Sequence, residues 1–291
     1  MLGMSKRQIT STEAFDLRQA LHIATLDALM ASRRWEPGDL VFQGGTSLHL
    51  AHGSPRYSED LDFLVKSALN LKNIAQSMET RLAGTHWLPE DTTLTVSAAK
   101  DGHNPHAFDV TIGGPNVIGS VRVKVELWQT SPEAIAGVRA VVCPVRLSRG
   151  LAAGMQTFVP TADLKDIYAD KVFAVAARPY LKPRDVFDLH WLKTRSNLSS
   201  CSAEDMRVRL LTYPNETAAG WLDKAFARRN SLRDAGPAIL KDLKRWLPAS
   251  WPLSEASVAD MIESTIASIE QGIDMMRVVR DELDMSRGLT P

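Results

Sequence analysis

What this chain lacks narrows the reading first. It has two cysteines, Cys143 and Cys201, in 291 residues, too few for a disulfide framework or a thiolate metal site built from cysteine alone. No apolar run approaches the ~20 residues that span a bilayer, so no transmembrane helix is expected. The opening MLGMSKRQITSTEAFDLRQ has no apolar core behind its charges, so no secretory signal is expected and the chain reads as cytoplasmic. Net charge is also missing, with 34 Lys+Arg against 34 Asp+Glu. Proteins that hold long nucleic acid through its backbone usually carry a global positive excess, so any nucleic-acid role has to rest on a local patch. There is no internal repeat or low-complexity segment. His49, His52, His103 and His106 show no zinc spacing with the cysteines, and no Ser-His-Asp order or nucleophile elbow is present.

What is there is the composition of a globular protein, 44% hydrophobic and 23% charged. The length allows one large domain or two ordinary ones. Residues 11–34 carry apolar side chains at near-helical spacing behind Ser11-Thr12-Glu13 as candidate caps, which predicts a helix ended by Trp35-Glu36-Pro37-Gly38. Leu40-Val41-Phe42, then Gly44-Gly45-Thr46-Ser47 and Leu48-His49-Leu50, predicts a strand, a tight turn and a helix start. A strand is expected from Asp60, a helix over 70–83, and strands at 92–98, 107–112 and 120–128. Two helices are expected over 161–194, then helices interrupted at Pro214, Pro237 and Pro248–Pro252. The outline is α+β: a mixed-sheet domain over 1–160 and a helical domain over 161–291.

Three features carry chemistry. Asp60 and Asp62 sit at i and i+2, so on a strand both point to one face, ~6–7 Å apart at the backbone. That pair suits a hard cation, above all Mg²⁺. The Gly44-Gly45 turn into a helix offers open backbone N–H groups to a triphosphate, with Ser47 as a hydroxyl donor and Arg56 as a neutralising charge. Lys171 lies among Ile167, Val172, Phe173 and Val175; burying it unpaired is costly, so it snorkels or faces a polar cleft.

Together, FQGGTSLHL…RYSEDLDFLV resembles the polymerase-β-like nucleotidyltransferases and, more narrowly, the AbiEii/AbiGii type of bacterial toxin from abortive-infection toxin–antitoxin systems. Arg122-Val123-Lys124-Val125-Glu126 is similar to that family's central strand, and Ala169-Asp170-Lys171 with Arg184-Asp185-Val186-Phe187-Asp188-Leu189 to its lysine and terminal aspartate motifs. The resemblance covers roughly 40–195. It implies that Gly45, Thr46 and Ser47 hold the nucleotide phosphates, with Arg56, Lys171 and Asp185 also at the nucleotide. It implies Asp60 and Asp62 as ligands of Mg²⁺ or Mn²⁺, with Glu126 as third carboxylate and Asp109 its competitor. Lys171 would stabilise charge in the transition state, and Asp188, with Asp185 as alternative, would be the essential aspartate. By spacing alone, Arg184 and Asp188 also read as an i,i+4 pair, and Asp185 as a helix cap.

The activity so implied is transfer of a nucleoside monophosphate from an NTP to RNA, with tRNA as the acceptor the resemblance implies, by a type IV-like toxin that blocks translation and whose antitoxin is encoded alongside. The competing readings are nucleotidylation of a protein or small molecule, including self-modification at Ser58, and a nucleotide-binding protein without turnover. Residues 221–246 hold a local excess of positive charge, and Arg228, Arg229 and Arg233 are expected to guide an RNA backbone.

Overall fold

The structure, a computed structural model, describes residues 6–66, 70–98, 104–147, 150–151, 153–196, 198 and 200–288. In chain order the elements are β1 (Arg7–Gln8), α1 (Ser11–Ala31), β2 (Leu40–Gln43), α2 (Gly44–Leu50), β3 (Leu61–Lys66), α3 (Leu71–Leu82), β4 (Thr93–Ala98), β5 (His106–Gly113), β6 (Val117–Ile118), β7 (Val121–Thr130), α4 (Pro132–Ala136), β8 (Ala140–Arg146), β9 (Gln156–Ala162), α5 (Leu164–Ala177), α6 (Pro183–Ser196), α7 (Ala203–Thr212), α8 (Ala218–Leu232), α9 (Gly236–Leu243) and α10 (Glu255–Gly288). The fold is α+β with a seven-stranded sheet ordered β4-β5-β7-β3-β2-β9-β8. The sheet is mixed: β2 runs antiparallel to β3 and parallel to β9.

Two compact units share the chain. One takes the residues up to Gly53, Ser58–Gln129 and Ala140–Thr161; the other takes Ser54–Tyr57, Thr130–Arg139 and the chain from Ala162.

In the first unit, α1 starts where Thr10 Oγ1 accepts the Glu13 N–H at 3.2 Å, so the cap is one residue earlier than Ser11. Its Leu17, Leu21 and Leu29 join Phe42 of β2, Phe63 of β3 and Val123 of β7 in one buried core. Phe42 and Phe63 stack at 5.0 Å. Each such side chain contributes ~1.5–3 kcal/mol by leaving water, which is why β2 is buried at all four residues. β7 keeps the period of two: Val121, Val123, Val125 and Leu127 are buried, while Arg122, Lys124 and Glu126 share the other face. β8 and β9 were not expected. Each contains a proline, Pro144 or Pro160, the residue that argues against strands in a sequence because it cannot donate to the ladder.

In the second unit, α5 to α10 bury an apolar interior that includes Trp221, whose Nε1 donates to the Phe173 carbonyl at 3.0 Å. Pro237 does not interrupt a helix; it stands in the first turn of α9, where its missing N–H costs nothing. α10 passes close to α5 at Gly272, where an added Cβ would stand 2.7 Å from Val172 Cγ1 and 3.1 Å from Trp221 Cη2. G272A should therefore overpack this contact and lower stability by ~1–3 kcal/mol, seen in urea unfolding as a lower midpoint with an unchanged slope.

Candidate active site

The expected residues gather in two clusters, one within each unit. In the first unit, β2 and β3 pair so that Gln43 stands opposite Asp62. The chain turns from β2 into α2 at Gly44 with φ +79°, a left-handed conformation that favours glycine. A Cβ on Gly44 would collide with Asp62 Oδ2, so the same glycine gives the carboxylate its room. Gly45, Thr46 and Ser47 are buried in the first turn of α2. Their hydroxyls are engaged locally: Thr46 donates to the Asp60 carbonyl, and Ser47 Oγ donates to the Gly44 carbonyl at 2.9 Å. Ser47 therefore does not present its proton to a phosphate here, and the backbone N–H groups of this turn are the remaining donors.

Asp60 and Asp62 are half-buried. β3 begins at Leu61, one residue later than expected, so Asp60 stands just ahead of the ladder. Two hard oxygen-donor groups beside an open glycine suit a small divalent cation. The third carboxylate is not brought to them. Among the described residues, no group of three His, Cys, Asp or Glu side chains is placed to share a metal. Glu126 instead accepts from Lys124, and Asp109 lies 3.5 Å from Arg122. The physical reason is charge on one strand face: Lys124, opposite Asp109 in the register, attracts Glu126, Asp60 and Asp109, which raises its pKa against burial.

In the second unit, five charged side chains converge. Arg56 holds Asp188 with two bonds, Nε to Oδ1 at 2.6 Å and Nη2 to Oδ2 at 2.8 Å. Lys171 Nζ reaches Asp185 Oδ1 at 2.7 Å and Asp188 Oδ2 at 2.8 Å. Arg178 closes on the other oxygen of Asp185. Arg56 is 2% exposed, Lys171 6% and Asp188 0%. Burial alone would raise the pKa of Asp188, but Arg56 and Lys171 outweigh it and hold the carboxyl below its ordinary value. Asp185 is lowered in the same way by Lys171 and Arg178. Lys171 is raised, because its two aspartates outweigh its desolvation. Asp170, whose Oδ1 accepts from the Tyr213 hydroxyl at 2.8 Å, also acts on Arg178, so three cations face three carboxylates.

Several expectations are corrected. Arg56 is turned to Asp188 and, at 2.8 Å, to the Tyr57 carbonyl, so any charge it offers a phosphate is shared with a carboxylate. Asp185 does not cap its helix; its side chain serves Lys171 and Arg178. Arg184 lies over the Trp246 ring at 4.3 Å, so the i,i+4 pair with Asp188 gives way to Arg56. Arg228 donates to the Val175 and Arg178 carbonyls at 2.9 and 2.7 Å, a structural role. His103 lies outside the described residues.

Two contributors escaped the sequence reading. Arg178 falls seven residues, two helical turns, after Lys171, a spacing that puts both on one side. His22 is fully buried on α1, and its Nε2 donates to the Glu59 carbonyl at 2.8 Å. A carbonyl only accepts, so Nε2 carries the proton and buried Nδ1 has no partner. Burial pushes this imidazole down to about 4, with His49 and Arg18 adding repulsion.

A family model described as "Nucleotidyl transferase AbiEii toxin, Type IV TA system" matches residues 27–255. No curated protein matches. Among solved structures, MenT4, a nucleotidyltransferase toxin from Mycobacterium tuberculosis H37Rv, aligns with a TM-score of 0.56 at 14% identity, over 91% of this chain and 88% of that one. At that identity the likeness is one of fold. JHP933 from Helicobacter pylori aligns at 17% identity and a TM-score of 0.44, over 96% and 98% of the two chains. No helix among the described residues is long and apolar enough to cross a membrane.

Two outcomes are expected. D188N should cost ~3–5 kcal/mol in chemical unfolding, because it takes from buried Arg56 its bidentate carboxylate and from Lys171 one of its two. Second, the unfolded chain protonates His22 near pH ~6.5 while the folded chain resists to about 4. Stability from this group is therefore complete above pH ~6.5 and falls as pH drops towards 4, by roughly 3 kcal/mol at most. H22Q should flatten that part of a stability–pH curve.

Proposed function

The chain belongs to the AbiEii family of nucleotidyltransferase toxins, of type IV toxin–antitoxin systems, and from that premise we propose that it transfers a nucleoside monophosphate from an NTP to tRNA. The observation that carries the proposal is the β2–Gly44–α2 turn set directly against Asp62, with Asp60 beside it. In this reading residues 1–160 form the catalytic core, and 161–291 contribute Lys171 and Asp188 to the reaction.

Asp60 and Asp62 would hold Mg²⁺ or Mn²⁺, which when bound polarises the α-phosphate and favours the ionised acceptor hydroxyl. The first-turn N–H groups of Gly45, Thr46 and Ser47 would receive phosphate oxygens. Lys171, Arg56 and Arg178 would offset the triphosphate, and Asp185 and Asp188 keep those cations placed. The acceptor oxygen bonds to the α-phosphorus as the bond to pyrophosphate breaks. Exposed Arg233, Lys241 and Lys244, rather than Arg228, are the cations left to meet an RNA backbone. The setting is cytoplasmic antiviral defence, with loss of usable tRNA halting translation and an adjacent antitoxin restoring it.

Incubating the chain with Mg²⁺, tRNA and each α-labelled NTP in turn should label tRNA with at least one nucleotide. D60N and D62N should lower the rate by on the order of 10²–10³-fold, the scale of removing one preorganised charge-stabilising group. Label confined to the chain itself identifies self-modification, and label in no macromolecule leaves a nucleotide binder; either overturns the tRNA reading.

A further inference from the structure

We propose that His22 is a positioning residue that holds Asp60 in its cation-binding orientation by gripping the carbonyl of Glu59. The proposal rests on the reading above that Asp60 and Asp62 bind a divalent cation.

The argument starts from what Asp60 lacks. Asp62 is fixed by the ladder to β2, where it stands opposite Gln43. Asp60 precedes the first residue of β3, so no strand pairing sets its backbone. Two buried side chains do so instead. His22 Nε2 donates to the Glu59 carbonyl at 2.8 Å, and the Thr46 hydroxyl donates to the carbonyl of Asp60 itself. Those carbonyls belong to the peptide planes on either side of the Asp60 Cα. With both planes held, φ and ψ of Asp60 are set, and with them the direction of its Cα–Cβ bond. Arg18, one turn before His22 on the same side of α1, lies 3.4 Å from the Glu59 carboxylate, so α1 grips Glu59 at both its backbone and its side chain.

Packing does not explain the histidine. Position 22 is 0% exposed, between Leu21 and Ile23, both also fully buried. An aliphatic residue would fill it without leaving Nδ1 buried and unpartnered, a state that costs stability. Outer-shell donors of this kind commonly tune metal affinity by 10-fold or more when removed.

The test is Mn²⁺ binding by the full chain at pH 7.5, read from the free-Mn²⁺ paramagnetic resonance signal. D60N/D62N should abolish binding, H22F should weaken it by ~10-fold, and H22Q, which keeps a donor, should stay within ~2-fold of wild type. T25V is the control. Thr25 is buried on the same helix and its hydroxyl bonds to nothing, the Glu59 carbonyl included, so its loss should leave affinity unchanged. If H22F binds as wild type while D60N/D62N does not, the proposal is wrong and the cation reading stands. Equal weakening in T25V and H22F also overturns it, as general loosening of α1. Binding that survives D60N/D62N ends the cation reading and the proposal together. Should H22F fail to fold, histidine-selective ¹⁵N spectra of the wild-type chain decide. Mg²⁺ should shift the His22 Nε2 signal, and an unmoved signal at saturating Mg²⁺ counts against the role.

Discussion

Asp188 is the carboxylate on which the second unit turns. It has no solvent exposure, and its two oxygens receive three donors from Arg56 and Lys171. Neither cation could be buried without such a partner, because an isolated charge in an apolar interior costs several kcal/mol. One aspartate therefore anchors a segment near residue 56 and a helix carrying Lys171 at the same point. Asp185 repeats the device for Lys171 and Arg178. These pairs fix the cations in place through the protein's own carboxylates, the kind of preorganisation that makes charge stabilisation effective.

The first unit solves a different problem, that of placing two carboxylates side by side next to a tight turn. Space does part of this, through a glycine whose missing Cβ leaves room for Asp62. Backbone clamps do the rest at Asp60. Glu126 on β7, one strand from β3, is answered by Lys124 of the same strand, and Asp109 on β5, two strands from β3, by Arg122 of β7. The acidic character of this sheet is thus divided between a pair beside the glycine turn and a pair further along the sheet.

Local features were legible in the sequence. The strand–glycine–helix turn and Asp60-x-Asp62 lie within twenty residues of each other, and their contact follows from one antiparallel pairing. The long helix at the start, the alternation of β7 and the two helices after 161 follow from periodicity and caps. Long-range charge pairing was not legible. Arg56 meets Asp188 across 132 positions of sequence, and nothing in spacing selects that partner over Arg184, which sits one helical turn from Asp188 and stacks on Trp246 instead. Lys171 came forward through its apolar neighbours and Asp188 through family resemblance, while His22, among the apolar residues of α1, carried no signal of its own. β8 and β9 were hidden by their prolines.

The two compact units are interlaced along the chain rather than joined end to end. Ser54–Tyr57 and Thr130–Arg139, both from the first half of the polypeptide, belong to the unit that otherwise begins at Ala162. A premature stop near residue 160 would thus strand Arg56 without Asp188, and Arg139 without Asp166 and Asp205. A product ending after Thr161 would keep every residue of the first unit, whereas the second unit cannot be encoded without segments from the first half of the chain, so the two units cannot be divided between two genes at a single point.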